Sequence, residues 1–493
     1  MRFSLPRLPK AHQLPRFNLD TPILSFSPED TWSGRDAVEG THIFGGIGSG
    51  KTSGSGRHLS AAFLEAGWGG LWLTAKIDER ALCERACAAA HRTQDLVILT
   101  PGGPHHLNFL AYEYLACDKK TEPLVHLFMS AMEAAEGGNS GQGGARSDES
   151  FWRNTTQQLL RNVIDLSSMA RDMVSLPYLY QIVVTAPQTP DEVHSADWQA
   201  SSFCMQCLTE AAARVHDTPR QHDFDLTASF FLREWPGLAD RTRSIVQTTF
   251  TSMADGLLRG DLYELFCTDT TITPEATHQG AIILLDLPIK QYHALGRIAQ
   301  VLFKTVWQRA AERRQVEETT IPIFLWADEA HFFVTSYDAL FQSTARSARV
   351  ATVYLTQSID NYYSALGGSG EQGRSQTEAL LGNLQTKIFH ANSSTTTNTW
   401  AAEMLAKSWQ FKAQGGVSAT QRSVLDRSSL PANTLSGHVS QAFEYDVPPG
   451  TFLTLAKGGP AHHCQVEGLV FQSGRVFQTT GKPYLLATFS QKD

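Results

Sequence analysis

The run Gly45-Gly46-Ile47-Gly48-Ser49-Gly50-Lys51-Thr52 carries the pattern G-x-x-x-x-G-K-[ST]. Glycines let the backbone curl until successive N–H groups face one point, and a following helix adds the positive end of its dipole. Phosphates are the natural occupants of such a nest. Lys51 would meet the β and γ phosphates of ATP as a point charge, and the Thr52 hydroxyl would ligate the Mg²⁺ that bridges them. Ser53 completes the candidate nucleotide-binding run. A glycine-rich turn without a ligand is the structural alternative, but the run sits between an apolar stretch and a helix-compatible one, as the motif requires.

A phosphate cradle hydrolyses nothing by itself, and a second constellation supplies what is missing. Ile323-Phe324-Leu325-Trp326-Ala327 is an apolar stretch ending in the adjacent carboxylates Asp328 and Glu329. Asp328 is placed to hold Mg²⁺, and Glu329 to orient and polarise an attacking water as general base. The same pair would also suit the first turn of a helix. Gln357 closes the next apolar stretch, Val353-Tyr354-Leu355-Thr356. Neighbouring parallel strands would set its amide beside Glu329, where it could sense the γ-phosphate or align water; a solvent-facing strand end is the bland reading. Between the two stretches, Arg346 and Arg349 are candidates for an arginine delivered into the site of a neighbouring subunit, Arg346 first. Either also reads as a surface helix charge.

These residues need strands to hold them. Thr41 to Gly46, Gly70 to Lys76, Asp95 to Thr100, Ala281 to Leu287, Ile321 to Asp328, Ala351 to Gln357 and Thr386 to Asn392 are short apolar runs separated by helical patterns, which predicts an α/β protein with a mostly parallel central sheet covered on both faces. Residues 112–275 carry helical periodicity, in Ser150 to Leu166 and Arg241 to Phe266, and little strand signal, so they are expected to form an inserted all-helical domain. The nucleotide-binding domain would then be discontinuous, 41–111 and 276–475, between an N-terminal arm (1–40) and a C-terminal tail (476–493). Glu136 to Asp148, Gly367 to Gln376 and Gln414 to Ser423 read as loops. Thr451 to Leu455 and Cys464 to Phe471 read as closing strands at the sheet edge.

With 493 residues, 42% of them hydrophobic and 18% charged, the chain can bury a large interior and lies far from disordered compositions. A net charge of −8 excludes a general polycation, so any contact with DNA has to be local. Arg2, Arg7, Lys10 and Arg16 form one basic segment, equally a solvated tail. No apolar stretch is long enough to span a bilayer, and the start lacks a continuous apolar core for a secretory signal, so a cytoplasmic protein is expected. Seven cysteines argue for free thiols rather than a disulfide framework. Cys204 and Cys207 have metal-ligand spacing without a second pair, and buried thiols are the expectation.

Taken together, the P-loop at Gly45 to Thr52, a helical insertion after the third strand, Ala327-Asp328-Glu329-Ala330 as a Walker B motif, and Thr356-Gln357-Ser358 resemble the TraG/TraD-type coupling ATPases of conjugation and type IV secretion, which stand with FtsK and HerA among RecA-like ring motors. The resemblance spans roughly residues 40–475. It implies a RecA-like P-loop fold, Mg²⁺-dependent ATP hydrolysis by Lys51, Thr52, Asp328, Glu329 and Gln357, with Arg346 acting across a subunit boundary. It further implies a homohexamer around a DNA channel, and protein or DNA recruitment through residues 112–275. Two features differ from the family. Its usual N-terminal membrane helices are not seen, which would make any place at the inner membrane depend on a recruiting partner. Its Asp-Pro-Lys-Gly-Glu after the second strand is here Thr74-Ala75-Lys76-Ile77-Asp78. A nucleotide-gated recruitment or assembly factor, and the motor subunit of a mobile-element or phage-defence complex, are the other functions this pattern admits.

Overall fold

The computed structural model describes residues 17–136, 146–418 and 434–492. A short antiparallel hairpin, β1 (Pro22–Ser25) and β2 (Thr31–Ser33), precedes the first strand of the central sheet, β3 (Thr41–Phe44). The sheet continues with β4 (Gly69–Leu73), β5 (Leu96–Leu99), β6 (Ile282–Leu285), β7 (Ile323–Ala327), β8 (Val350–Thr356) and β9 (Thr386–Phe389). A long ribbon of β10 (Lys407–Ser418) and β11 (Thr434–Tyr445) stands apart as its own two-stranded sheet. The last strands, β12 (Gln465–Gln472) and β13 (Tyr484–Ser490), rejoin the central sheet.

Nine strands lie in the order β13-β12-β9-β3-β8-β7-β4-β6-β5. The seven from β9 to β5 are parallel, and β12 and β13 are added antiparallel at one edge. Their continuous apolarity follows from burial on both faces. The period of two sends Leu71, Leu73, Leu325, Ala327 and Tyr354 into one core, while Trp72, Phe324, Trp326, Val353 and Leu355 enter the other. The first core is shared with the helices between β5 and β6, which run from Phe109 to Cys267 without an intervening strand among the described residues.

Several expectations are corrected. Thr451 to Leu455 is not a strand: Pro448 and Pro449 lead into a 3-10 turn over Pro449–Leu453, because proline fixes φ and removes a ladder donor. Gly367 to Gln376 is only partly a loop, since a helix starts at Glu371 behind the Gly370 cap. Of Gln414 to Ser423, residues 414–418 belong to β10 and the remainder lie outside the described residues. Of Glu136 to Asp148, residues 137–145 also lie outside them, and 146–148 open the helix Arg146–Arg171. The segment after residue 475 contributes the edge strand β13 to the sheet rather than a tail. Within residues 17–40, Trp32 is fully buried against Phe63, and Phe17 packs edge-on against Trp68, so these residues are part of the body. The four basic residues Arg2, Arg7, Lys10 and Arg16 lie outside the described residues. Cys204 and Cys207 are buried free thiols on the helix Phe203–Arg214.

Candidate nucleotide site

Register decides which side chains can meet. Phe44 pairs with Thr356, Tyr354 with Ala327, and Ala327 with Leu73, so β3, β8, β7 and β4 end side by side with their carboxyl ends at one rim. The residues that follow each strand therefore share a crevice: Gly45 to Thr52 after β3, Gln357 after β8, Asp328 and Glu329 after β7, and Lys76 after β4. Carboxyl ends of parallel strands are where open α/β sheets bind ligands.

The P-loop turns on glycine. Gly48 and Gly50 hold φ of +68° and +83°, and a Cβ on Gly50 would lie 2.6 Å from Val466 of β12. Ile47 at the loop tip is 85% exposed, while Lys51 turns inward. The helix that follows opens with a π turn, Thr52–Gly56, and continues as Arg57–Glu65. Ser53 accepts a 2.7 Å hydrogen bond from the Gln491 amide just after β13.

Lys51 Nζ stands 3.7 Å from Asp328 and 3.5 Å from Glu329. The Thr52 hydroxyl donates to Asp328 Oδ2 at 2.8 Å. The Gln357 amide donates to Glu329 Oε1 at 2.9 Å. Asp328 turns its other oxygen back to accept the Glu329 N–H at 2.8 Å. That contact accompanies a left-handed backbone at Glu329, φ +50°, an uncommon conformation for a residue with a Cβ. Burial alone would raise the Glu329 carboxyl, but Lys51, the Gln357 amide and Lys76 together hold it below its ordinary value. His331 beside it is pushed down to about 4 by burial, against the pull of Glu329, so its ring is neutral near pH 7.

The candidate arginines lie elsewhere. Arg346 caps the helix Ser336–Ala345 before β8 begins, at the opposite end of the strands, and pairs with Glu39 at 3.1 Å. The strand Val350–Thr356 separates it from its own crevice by about 20 Å at roughly 3.3 Å per residue. Its side chain is 61% exposed. Arg349 is tied to the carbonyls of Thr320 and Glu318, which makes it a structural clamp on the loop before β7.

Lys76 is the member whose part sequence reasoning missed. Its Nζ lies 3.2 Å from Glu329, 3.5 Å from Asp328 and 3.9 Å from Glu79. The available signal was a lysine and a glutamate three residues apart, just past an apolar strand. Burial, and then the charge of Asp328, push Glu79 up to about 8, although it accepts the Ala75 N–H at 2.6 Å. Gln491 and Asn392 were also missed; Asn392 donates to the Gln357 carbonyl at 2.7 Å.

No family profile and no curated protein matches the sequence. The fold does have counterparts among solved structures. A bacterial conjugative coupling protein, TrwBdeltaN70 in its unbound monoclinic form, superposes with a TM-score of 0.56 over 97% of this chain and 90% of its own, at 12% identity. This chain has the fold of TrwB. The plasmid coupling protein TrwB in complex with ADP and Mg²⁺ gives 0.57 over 97% and 92% at 12% identity. TrwB with the non-hydrolysable GTP analogue GDPNP gives 0.57 over the same shares at 13%. The α/β RecA-like core with helical additions is thus common to both, at an identity too low for residues to be carried across.

The crevice fits a Mg²⁺–nucleotide by its own chemistry. The buried Ser49 hydroxyl and Glu329 Oε2 have no hydrogen-bond partner among the described residues. Two lysines, two carboxylates and a hydroxyl converge where a glycine loop meets a helix start. No helix among the described residues is long and apolar enough to cross a membrane.

Proposed function

We propose that the chain is a Mg²⁺-dependent ATPase that moves DNA, or couples a DNA substrate to a machine that moves it, as a ring of identical subunits. One observation carries the reading: Lys51, Thr52, Asp328, Glu329 and Gln357 converge at the ends of three adjacent parallel strands, an arrangement that supports triphosphate hydrolysis. The run Gly45 to Ser53 wraps the phosphates and Lys51 compensates their charge; Thr52 and Asp328 would hold Mg²⁺. When bound, Mg²⁺ supplies Lewis-acid neutralisation of charge on the phosphates. Glu329 accepts the proton of the attacking water, and Gln357 fixes the carboxylate that does so. Arg346, remote from its own crevice and exposed, is assigned to the crevice of the next subunit, which makes hydrolysis depend on assembly. A homohexamer is the proposed ring.

The likeness to TrwB, solved with ADP and Mg²⁺, supports the nucleotide chemistry and motivates the DNA-coupling role in conjugation or a type IV secretion-like system. In this reading the helices of residues 112–275 recruit DNA or protein partners to the ring, and the nucleotide-binding domain comprises 41–111 and 276–475. The chain works in the cytoplasm, brought to a membrane by a partner.

ATP turnover by the purified protein, with and without single- and double-stranded DNA, tests this beside Lys51→Ala and Glu329→Gln. DNA-stimulated turnover lost in both variants is expected. Turnover indifferent to DNA would overturn the motor role in favour of nucleotide-gated recruitment.

A further inference from the structure

Lys76 sits among three carboxylates and is shared unequally between them. It is close to Glu329 and Asp328, whereas Glu79 Oε1 stands 3.9 Å away, buried and without a hydrogen-bond partner among the described residues. Glu79 is held in place by the Ala75 N–H on its other oxygen and opens the helix Glu79–Ala89. The lysine side chain is 37% exposed, leaving it room to move, while the carboxylates beside it are almost fully buried. A buried acceptor with one empty oxygen, a short reach from a mobile cation, is a second seat for that cation.

We propose that Lys76 is a movable counter-charge of the catalytic centre: it neutralises Asp328 and Glu329 before nucleotide arrives, and passes to Glu79 when Mg²⁺ takes over the carboxylates. The inference rests on the nucleotide site proposed above. The electrostatics run one way: a divalent ion at Thr52 and Asp328 would repel the ammonium and replace its function, and Glu79 is the remaining carboxyl group within reach. Compensating Asp328 also removes one of the two causes that raise Glu79, favouring the ionised form that receives the lysine. The nucleotide state would thereby be written onto the first turn of the helix Glu79–Ala89.

Equilibrium binding of ADP and of a non-hydrolysable ATP analogue, each with Mg²⁺ and with EDTA, tests this in the full chain. Lys76→Met should bind Mg²⁺–ADP about three- to five-fold more tightly, because the ion no longer displaces a cation. The gain should vanish in EDTA, and the nucleotide-free variant should melt at lower temperature than wild type. Glu79→Gln, which keeps an acceptor for Ala75, should bind Mg²⁺–ADP more weakly, and the double variant should behave as Lys76→Met alone, since Glu79 acts only through the lysine. Unchanged affinity in Lys76→Met, or weaker binding of the ATP analogue with unchanged ADP binding, would overturn the proposal; the latter would make Lys76 a γ-phosphate contact. Wild-type protein that binds no nucleotide, or binds it as Lys51→Ala does, would overturn the site itself and this proposal with it.

Discussion

At the scale of single residues, the crevice is an arrangement of charges whose spacing is set by β-register. Replacing Gln357 with Ala removes the donor to Glu329, and ATP turnover is expected to fall about 10- to 100-fold with nucleotide affinity preserved; steady-state kinetics beside nucleotide titration separates the two. Gly50→Ala is expected to abolish nucleotide binding, because its φ of +83° disfavours a side chain and the new methyl would press on Val466; binding by the folded variant is the measurement. Both positions stood out in the sequence, because their chemistry depends on neighbours along the chain or on the simplest parallel pairing. Lys76 did not, since its significance lies in three carboxylates, two of them some 250 residues away in the chain. Arg346 could be named as a candidate, but only the strand direction shows that it faces away from its own site.

Elements tell a similar story. Strands buried on both faces advertise themselves by continuous apolarity, which is why β3 to β9 were legible. The strand Tyr484–Ser490 was not: as an edge strand it alternates buried and exposed residues, and it follows a Gly-Lys-Pro turn that resembles the start of a tail. The ribbon of β10 and β11 pairs over twelve residues in each arm, yet from Gln414 onward the first arm reads as a loop. The loop leaving β7 depends on a network invisible to periodicity. Lys304 and Asp338, both fully buried, pair with each other; Lys304 also donates to the Phe333 carbonyl at 2.7 Å, while Gln308 and Tyr354 each donate to Asp338 at 2.9 Å. Asp338→Ala strands a buried ammonium, and about 3–5 kcal/mol of stability should be lost, read as a lower denaturant midpoint.

For the molecule as a whole, the two ends of the described chain close one edge of the sheet together. Asp30, 1% exposed, accepts hydrogen bonds from the Gln478 and Thr479 backbones and the Thr479 hydroxyl. Burial would raise its carboxyl, but these donors hold it at about 2. A depressed carboxylate stabilises the fold above its unfolded pKa, so this contribution is intact above about pH 4 and disappears as the pH falls toward 2. Thermal melts from pH 5 to 2 should show that loss, and Asp30→Asn should lose about 1–3 kcal/mol at neutral pH and melt with a shallower acid dependence. The same closure reaches the P-loop, where Gln491 holds Ser53 and Arg57 donates to the carbonyls of Ser490 and Lys492. A ribosome delivers Gly45 to Thr52 first and this brace more than 430 residues later. The nascent polypeptide therefore carries an unbraced phosphate loop while those intervening residues are made, and acquires the braced one only as the strand Tyr484–Ser490 folds in.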